Sequence, residues 1–150
     1  MSDVPVVDFA LDPRLAADSH RIADGALCEF RLVDDARYGW IVLVPRVPGA
    51  EEWLDLEAEV QARLLRDVNA AGRALRALGR CDKLNIGALG NIVRQLHVHV
   101  VARHAGDPAW PGPVWGHSPL QRRDPALRDR RLAELRAQLA AGGGEPAGPA

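Results

Sequence analysis

The sequence predicts an α+β fold, in which an antiparallel sheet of about five strands carries one long helix on one face. Three observations support this prediction. Residues 55–78 show the spacing of an amphipathic helix, apolar runs with strand composition occur before and after it, and short connections at 34–38 and 90–91 suit hairpins. Strands joined by such short connections pair antiparallel, so a doubly wound parallel sheet is not expected.

Length and charge limit the organisation and the partners. The chain has 150 residues and a net charge of −1. A chain of this length buries roughly 68–70% of its unfolded surface, which predicts a single domain over residues 1–140 and a disordered tail over residues 141–150. The balanced charge gives no reason to expect a nucleic-acid or membrane partner. No apolar run approaches the ~20 residues that span a bilayer.

The cysteines and the N-terminus indicate the compartment. Cys28 and Cys81 lie far apart and form no C-x-x-C motif, and no basic segment followed by an apolar one opens the chain. We therefore expect a cytoplasmic protein with free thiols.

The first predicted element is a helix over residues 13–24. Asp12 is a good N-cap, and Pro13 suits the first helical position. Gly25 suits the position just beyond a helix end. The helix is therefore predicted to end at the residue before this glycine.

Two strands are predicted next, over residues 26–33 and 39–46. The second contains a continuous apolar run from Trp40 to Val44, which is typical of a buried strand. The long helix at 55–78 repeats apolar residues at steps of three and four. A strand at 83–89 then leads into the 90–91 turn.

A last helix is predicted over residues 125–140, with Asp124 as its N-cap. Its apolar stripe contains Leu132, Leu135 and Leu139. This C-terminal helix completes the predicted architecture.

The stretch that indicates a function is residues 92–103. Its polar residues Gln95, His97 and His99 alternate with apolar ones, which predicts a half-buried strand with one face in the core. Two residues of strand advance about 6.5–7 Å, so the two imidazoles would stand side by side. At that separation they suit either one phosphate or one metal ion.

Glycines precede this strand. Gly87, Gly90 and Asn91 lie just upstream, where backbone N–H groups can approach an anion without an intervening side chain. The sequence therefore places a candidate anion-binding turn beside the two histidines.

The motif from Gln95 to Val101 resembles the signature of the histidine triad nucleotide hydrolases and transferases. The resemblance covers roughly residues 10–118, because the long helix between strand pairs, the strand ending in Val-Pro-Arg and the later Trp-Pro-Gly follow in the expected order. Two positions depart from the family pattern. Gln95 stands in the place of the first histidine, and Asn91 stands where a glutamine is usual.

The resemblance implies a role in catalysis for the three polar residues of the motif. His97 would be the nucleophile that attacks the α-phosphate and forms a nucleotidyl-histidine, which suits an imidazole that is largely neutral at pH 7. His99 would hydrogen-bond the phosphate and could pass a proton to the leaving group. Gln95 would orient the site through a neutral hydrogen bond. Phosphoramidates, dinucleoside polyphosphates and nucleotidyl esters are the implied substrates, with no cofactor.

The family pattern also implies the binding residues. Asn91 and the backbone after Gly90 would hold the non-bridging phosphate oxygens. Asp34 or Asp35 would accept hydrogen bonds from the ribose, and Asp35 is the candidate chosen. The tryptophans Trp110 and Trp115 would border the leaving-group side, near the interface of a homodimer.

Two other classes of function remain open. In the first, His97 and His99 hold zinc or iron with His104 or His117; the absence of glutamate between Glu59 and Glu134 argues against it. In the second, the chain is a nucleotide-binding module that has lost turnover together with the first histidine.

Overall fold

The computed structural model describes residues 8–142. Five antiparallel strands form one sheet in the order β1-β2-β3-β5-β4, which confirms the predicted α+β class. The strands are β1 (Ser19–Asp24), β2 (Cys28–Val33), β3 (Gly39–Pro45), β4 (Lys83–Gly87) and β5 (Val98–Arg103).

The helices are α1 (Pro13–Ala17), α2 (Ala58–Leu78) and α3 (Pro125–Ala141), and a 3₁₀ turn at Trp53–Asp55 precedes α2. The buried residues of α2 recur at three- and four-residue steps, so one stripe packs on the sheet as predicted. Helix α3 packs against α2 and β1. None of the helices within residues 8–142 combines the length and apolar composition needed to cross a bilayer.

The two faces of the sheet carry different apolar clusters. Ile41, Val98 and Val100 belong to the large core under α2. Trp40 and Val42 belong to a smaller cluster. Because side chains alternate along a strand, His99 of β5 points to the side of the smaller cluster, away from α2.

The predicted helix at 13–24 is wrong beyond Ala17. Residues 19–24 form β1, which pairs antiparallel with β2. The register shifts between Arg21 and Ala23, so buried residues do not alternate regularly along β1. A strand without strict alternation is not recognised from the sequence.

Gly25 does not end a helix. Its N–H donates to the carbonyl of Cys28 at 2.8 Å in the connection between β1 and β2. A Cβ at this position would lie 2.7 Å from a ring carbon of Phe30. The glycine is therefore used for close packing on an aromatic ring.

The predicted histidine strand begins later than expected, at Val98 instead of residue 92. The N–H of Leu96 donates to the carbonyl of Ala50 at 2.9 Å. The segment before Val98 is therefore hydrogen-bonded to the loop before α2 and not to a neighbouring strand. Gln95 and His97 therefore precede the strand, whereas His99 lies in it.

The end of the chain agrees with the prediction as far as it is described. The side chain of Asp124 accepts from the N–H of Ala126, and α3 ends at Ala141, one residue beyond the predicted end. The rest of the predicted tail, residues 143–150, lies outside the described residues.

Candidate active site

A cleft of about 450 Å³ opens on the sheet face opposite α2. Strands β3 and β5 form its floor, and the segments at 89–93 and 114–120 form its rims. Apolar side chains line much of it: Leu15, Val33, Val42, Val114, Trp115 and Leu120. Both histidines of the motif also line it.

The structure places His97 and His99 side by side. Their ring centroids are 5.0 Å apart and their planes are 75° apart. His97 is 6% exposed, and His99 is half-buried. The structure therefore brings the two imidazoles together, as their two-residue spacing predicts.

The main chain fixes the proton of His97. Its Nδ1 lies 2.7 Å from the carbonyl oxygen of Gln95. A carbonyl oxygen only accepts, so Nδ1 carries the hydrogen and donates it. In the neutral ring, Nε2 then holds a free electron pair beside the cleft.

A side chain determines which ring nitrogen of His99 carries the hydrogen, and the result is the reverse of that in His97. The indole Nε1–H of Trp40 donates to Nδ1 of His99 at 3.0 Å. Nδ1 is thus the acceptor, so the hydrogen of the neutral ring is on Nε2. Burial, and to a smaller extent the neighbouring His97, lowers the pKa of His99 to about 3, so this ring is neutral at pH 7.

The amide of Gln95 does not face the cleft. Its Oε1 accepts from the N–H of Asp12, and its Nε2 donates to the carbonyl of Ala10, both at 2.8 Å. This candidate catalytic side chain therefore holds the segment before α1 against the segment before β5.

The contacts of Gln95 with the segment before α1 place Arg14 at the rim of the cleft. Arg14 lines the cleft and donates to the carbonyl of Ile92 at 3.1 Å. Within the described residues it is the only lysine or arginine in the lining. Hydrogen bonds from Arg14, and more weakly the charge of His97, hold the pKa of Asp12 below its ordinary value.

The predicted anion-binding turn lies at the cleft. Gly90 and Asn91 both line it, and Gly90 has a φ of 66°, which favours glycine. Gly87 has a different use. It pairs with His99 across the sheet, and a Cβ there would lie 3.2 Å from the ring of Trp115.

The predicted ribose ligands lie elsewhere. Asp35 is fully buried and accepts three hydrogen bonds from Arg37, at 2.8–3.0 Å. Asp34 accepts from the N–H of Arg123 at 2.9 Å. Neither lines the cleft, whereas Asp18 does. The structure therefore does not bring Asp35 together with the histidines.

The two tryptophans of the late loop differ. The Trp115 ring lies 5.6 Å from that of His99 and lines the cleft. The guanidinium carbon of Arg103 lies 5.8 Å from the ring centroid of Trp110, and Trp110 is not part of the lining. Only one of the predicted pair borders the site.

A buried ion pair holds this loop. Arg103 contacts Asp107 at 2.7 and 2.8 Å, and each side chain is 1% exposed. The hydrogen bonds from Arg103 lower the pKa of Asp107 to about 2. The loop that carries Trp115 is thus anchored to the end of β5.

Among the cleft residues that the sequence did not predict are Trp40, Arg14 and Asp18. Trp40 lay within an apolar run that predicted only a buried strand, and its polar N–H was the available signal. Arg14 and Asp18 fell within the segment wrongly predicted as one helix. Across residues 8–142, no three side chains of His, Cys, Asp or Glu converge as a metal site would require.

Comparison with known proteins agrees with this geometry. The HIT domain family model matches residues 14–106. No curated protein gives a significant match.

Solved structures are similar over nearly their whole length. A histidine triad protein from Bradyrhizobium japonicum is 42% identical, with a TM-score of 0.85, covering 88% of this chain and 98% of that one. One from Marinobacter aquaeolei is 42% identical, with a TM-score of 0.86, covering 89% and 98%.

A more distant structure shares the fold. It is a hypothetical histidine triad nucleotide-binding protein from Sulfolobus tokodaii, 15% identical with a TM-score of 0.66, covering 87% of this chain and 89% of that one. The family match and the two closer structures establish that this chain belongs to the histidine triad (HIT) family.

Proposed function

We propose that the protein hydrolyses or transfers nucleoside monophosphate groups through a covalent intermediate on His97. One observation carries the proposal: the free Nε2 electron pair of His97 and the Nε2–H of His99 stand together in an open cleft. One ring can attack an α-phosphorus while the other donates to its oxygen.

The attack leaves a positive charge on the ring of His97. Its Nε2 forms a bond to phosphorus, the bond from phosphorus to the leaving group breaks with its electron pair on that group, and Nδ1 keeps its hydrogen, so the imidazole becomes cationic. The carbonyl of Gln95, 2.7 Å from Nδ1, stabilises that charge. Water then attacks the phosphorus, the electron pair of the P–N bond returns to Nε2, and the proton lost by the water passes to the solvent.

Three groups favour the phosphate. The Nε2–H of His99 donates without adding charge, while the Gly90–Asn91 turn offers backbone and amide donors. Arg14 supplies a permanent positive charge at the same rim. The motif residues and this rim thus suit a substrate whose phosphates extend beyond the reacting one.

The apolar part of the cleft suits a nucleoside. Leu15, Val33 and Val42 present an apolar surface to a base, and the name of the Sulfolobus relative supports a nucleotide ligand. The ribose contact has two candidates. Asp18 lines the cleft, whereas Asp35 needs to leave Arg37 to reach it, so we expect Asp18→Asn to raise KM more than Asp35→Asn.

The test is to incubate the protein with an adenosine phosphoramidate and with a dinucleoside polyphosphate, and to seek a nucleotidyl adduct by mass spectrometry. We expect the adduct on His97, with and without a chelator. Nucleotide binding without an adduct would support the module that has lost turnover. Activity that disappears on chelation would support the metal-dependent alternative.

We also infer a homodimer, as the family resemblance implies. Within residues 8–142, strand β4 is an edge of the sheet and pairs only with β5, and Ile86 on it is 54% exposed. Such an edge offers backbone groups and apolar surface to a second copy. Sedimentation of the intact chain and of Ile86→Lys measures this, and a monomeric wild type would contradict it.

A further inference from the structure

Two tryptophans pack on His99, but only one contacts it through a polar atom. The ring centroids of Trp40 and Trp115 lie 5.7 and 5.6 Å from that of His99. Trp40 donates its indole N–H to Nδ1 at 3.0 Å, whereas Nε1 of Trp115 is buried without a hydrogen-bond partner in the described chain. The two contacts are alike in ring distance and differ in hydrogen bonding.

An indole nitrogen is a donor only. While Trp40 donates to Nδ1, His99 has its hydrogen on Nε2 and presents it to the cleft. A neutral imidazole in this form donates a hydrogen bond but gives up its last proton only to a very strong base. The cationic form, which is a useful acid, is opposed by burial beside His97.

We propose that Trp40 is a positioning residue that fixes His99 as an Nε2–H donor, so that the enzyme selects nucleotidyl anhydrides, whose leaving groups depart as stable anions, over substrates whose leaving group needs a proton. This inference rests on the proposed function. It assigns His99 to hydrogen bonding and not to the proton transfer that the sequence resemblance implied.

The electron balance explains the selectivity. Nε2 of His97 forms the N–P bond, the bond from phosphorus to the leaving atom breaks, and its electron pair stays on that atom. A phosphate or carboxylate oxygen holds this pair as a stable anion. An alkylamine or alkoxide leaving group requires a proton at the same moment.

The rest of the described lining supplies no such proton. It contains no lysine, cysteine, tyrosine or glutamate, and the guanidinium of Arg14 is not an acid. Asp18 is engaged in an ion pair with Arg122, at 3.2 Å. The charge of Arg14 instead suits an anionic polyphosphate that is departing across the rim.

The first experiment compares leaving groups. Single-turnover formation of the His97 adduct is measured with diadenosine tetraphosphate, an acyl adenylate, an alkylamine adenosine phosphoramidate and an alkyl ester of AMP. A general acid contributes about 10²–10⁴-fold, so we expect both anhydrides to react faster than the other two by about that factor. An alkylamine phosphoramidate within tenfold of the anhydrides would overturn the selectivity.

The second experiment observes the tautomer directly. Long-range ¹H–¹⁵N spectra of the full chain at pH 7 should show His99 protonated on Nε2 and His97 protonated on Nδ1. Trp40→Phe, which keeps the ring and removes the N–H, should change the pattern of His99 alone. Trp115→Phe is the matched control and should leave both patterns unchanged.

The two arms fail separately. A hydrogen on Nδ1 of His99 in the wild type, or an unchanged spectrum in Trp40→Phe, would refute the positioning role whatever the substrates show. The absence of an adduct with all four substrates would refute the proposed function and the selectivity with it, while the spectra would still decide the tautomer. Trp40→Phe should also slow the anhydride reaction about 2- to 13-fold, the equivalent of one neutral hydrogen bond of about 0.5–1.5 kcal/mol.

Discussion

The segment before β5 and the start of β5 each hold one histidine, and they fix its proton by different means. In the segment, a main-chain carbonyl, that of Gln95, fixes His97. In the strand, the side chain of Trp40, from the neighbouring β3, fixes His99. The same residue type thus becomes an electron-pair donor in one place and a hydrogen donor in the other.

This difference shows which role a substitution can disturb. No single side-chain replacement deletes the carbonyl that orients His97, whereas one replacement at Trp40 removes the partner of His99. We therefore expect changes near His97 to act through the ring itself and changes near His99 to act also through its neighbour. The following experiments test the contrast, from the largest expected effect to the smallest.

Replacing the proposed nucleophile should have the largest effect. In the proposed reaction His97 supplies the atom that bonds to phosphorus, so for His97→Ala we expect no adduct and essentially no turnover, with nucleotide binding retained. The measurement is rapid-quench single turnover together with binding calorimetry. His104→Ala, which removes a histidine outside the cleft, should react like the wild type. Turnover by His97→Ala would contradict the assignment.

His99→Ala should cause the second-largest loss of rate. A hydrogen bond to a charged group contributes about 1.5–3 kcal/mol, so we expect the single-turnover rate to fall about 13- to 160-fold. His99→Gln can still offer an N–H and should recover part of the rate. A loss as complete as that of His97→Ala would show that His99 does more than donate.

Gln95→Ala should have a milder effect. The amide loses its bonds to Ala10 and Asp12, but the carbonyl that holds His97 remains. One neutral hydrogen bond contributes about 0.5–1.5 kcal/mol, so we expect a rate loss of about 2- to 13-fold, measured on diadenosine tetraphosphate. Inactivity equal to that of His97→Ala would mean that the Gln95 side chain takes part in the reaction.

Ionisation of His99 should leave the free energy of unfolding nearly unchanged at pH 7 and should lower it increasingly as the pH falls. The pKa of His99 is about 3 in the folded chain and near 6.5 in an ordinary imidazole. Between these values the unfolded chain binds the proton and the folded chain does not, so stability falls as pH falls.

Urea titrations from pH 7 to pH 4 measure this. The wild type should lose more free energy of unfolding than His99→Gln over that range, because the other titrating groups are common to both. Parallel curves for the two proteins would show that the ring of His99 protonates as readily in the folded chain as in the unfolded one.

Periodic signals predicted most of the fold. The three- and four-residue steps of α2 and the apolar run of β3 located both elements, because each buries one continuous face. The strand β1 was missed because its bulge breaks the alternation and because pairing with β2, a contact outside the segment, decides its conformation.

The site was predicted where local spacing decides it and missed where folding brings distant segments together. Two residues of separation sufficed to place His97 beside His99. The contacts of Gln95 with residues 10–12, and the capture of Asp35 by Arg37, depend on which partners are near in the folded chain. No pattern within residues 92–103 contains that information.

The buried pair of Arg103 and Asp107 has a consequence for ligand entry and exit. The carboxylate of Asp107 also accepts from the N–H groups of His104 and Trp110, and Arg103 also donates to the carbonyl of Gly112 at 2.8 Å. A loop tied from within opens only when that pair separates, so its amides should exchange slowly with solvent deuterium. The side of the cleft that carries Trp115 should therefore move less during ligand entry and exit than the rim at Ile92, which is 81% exposed.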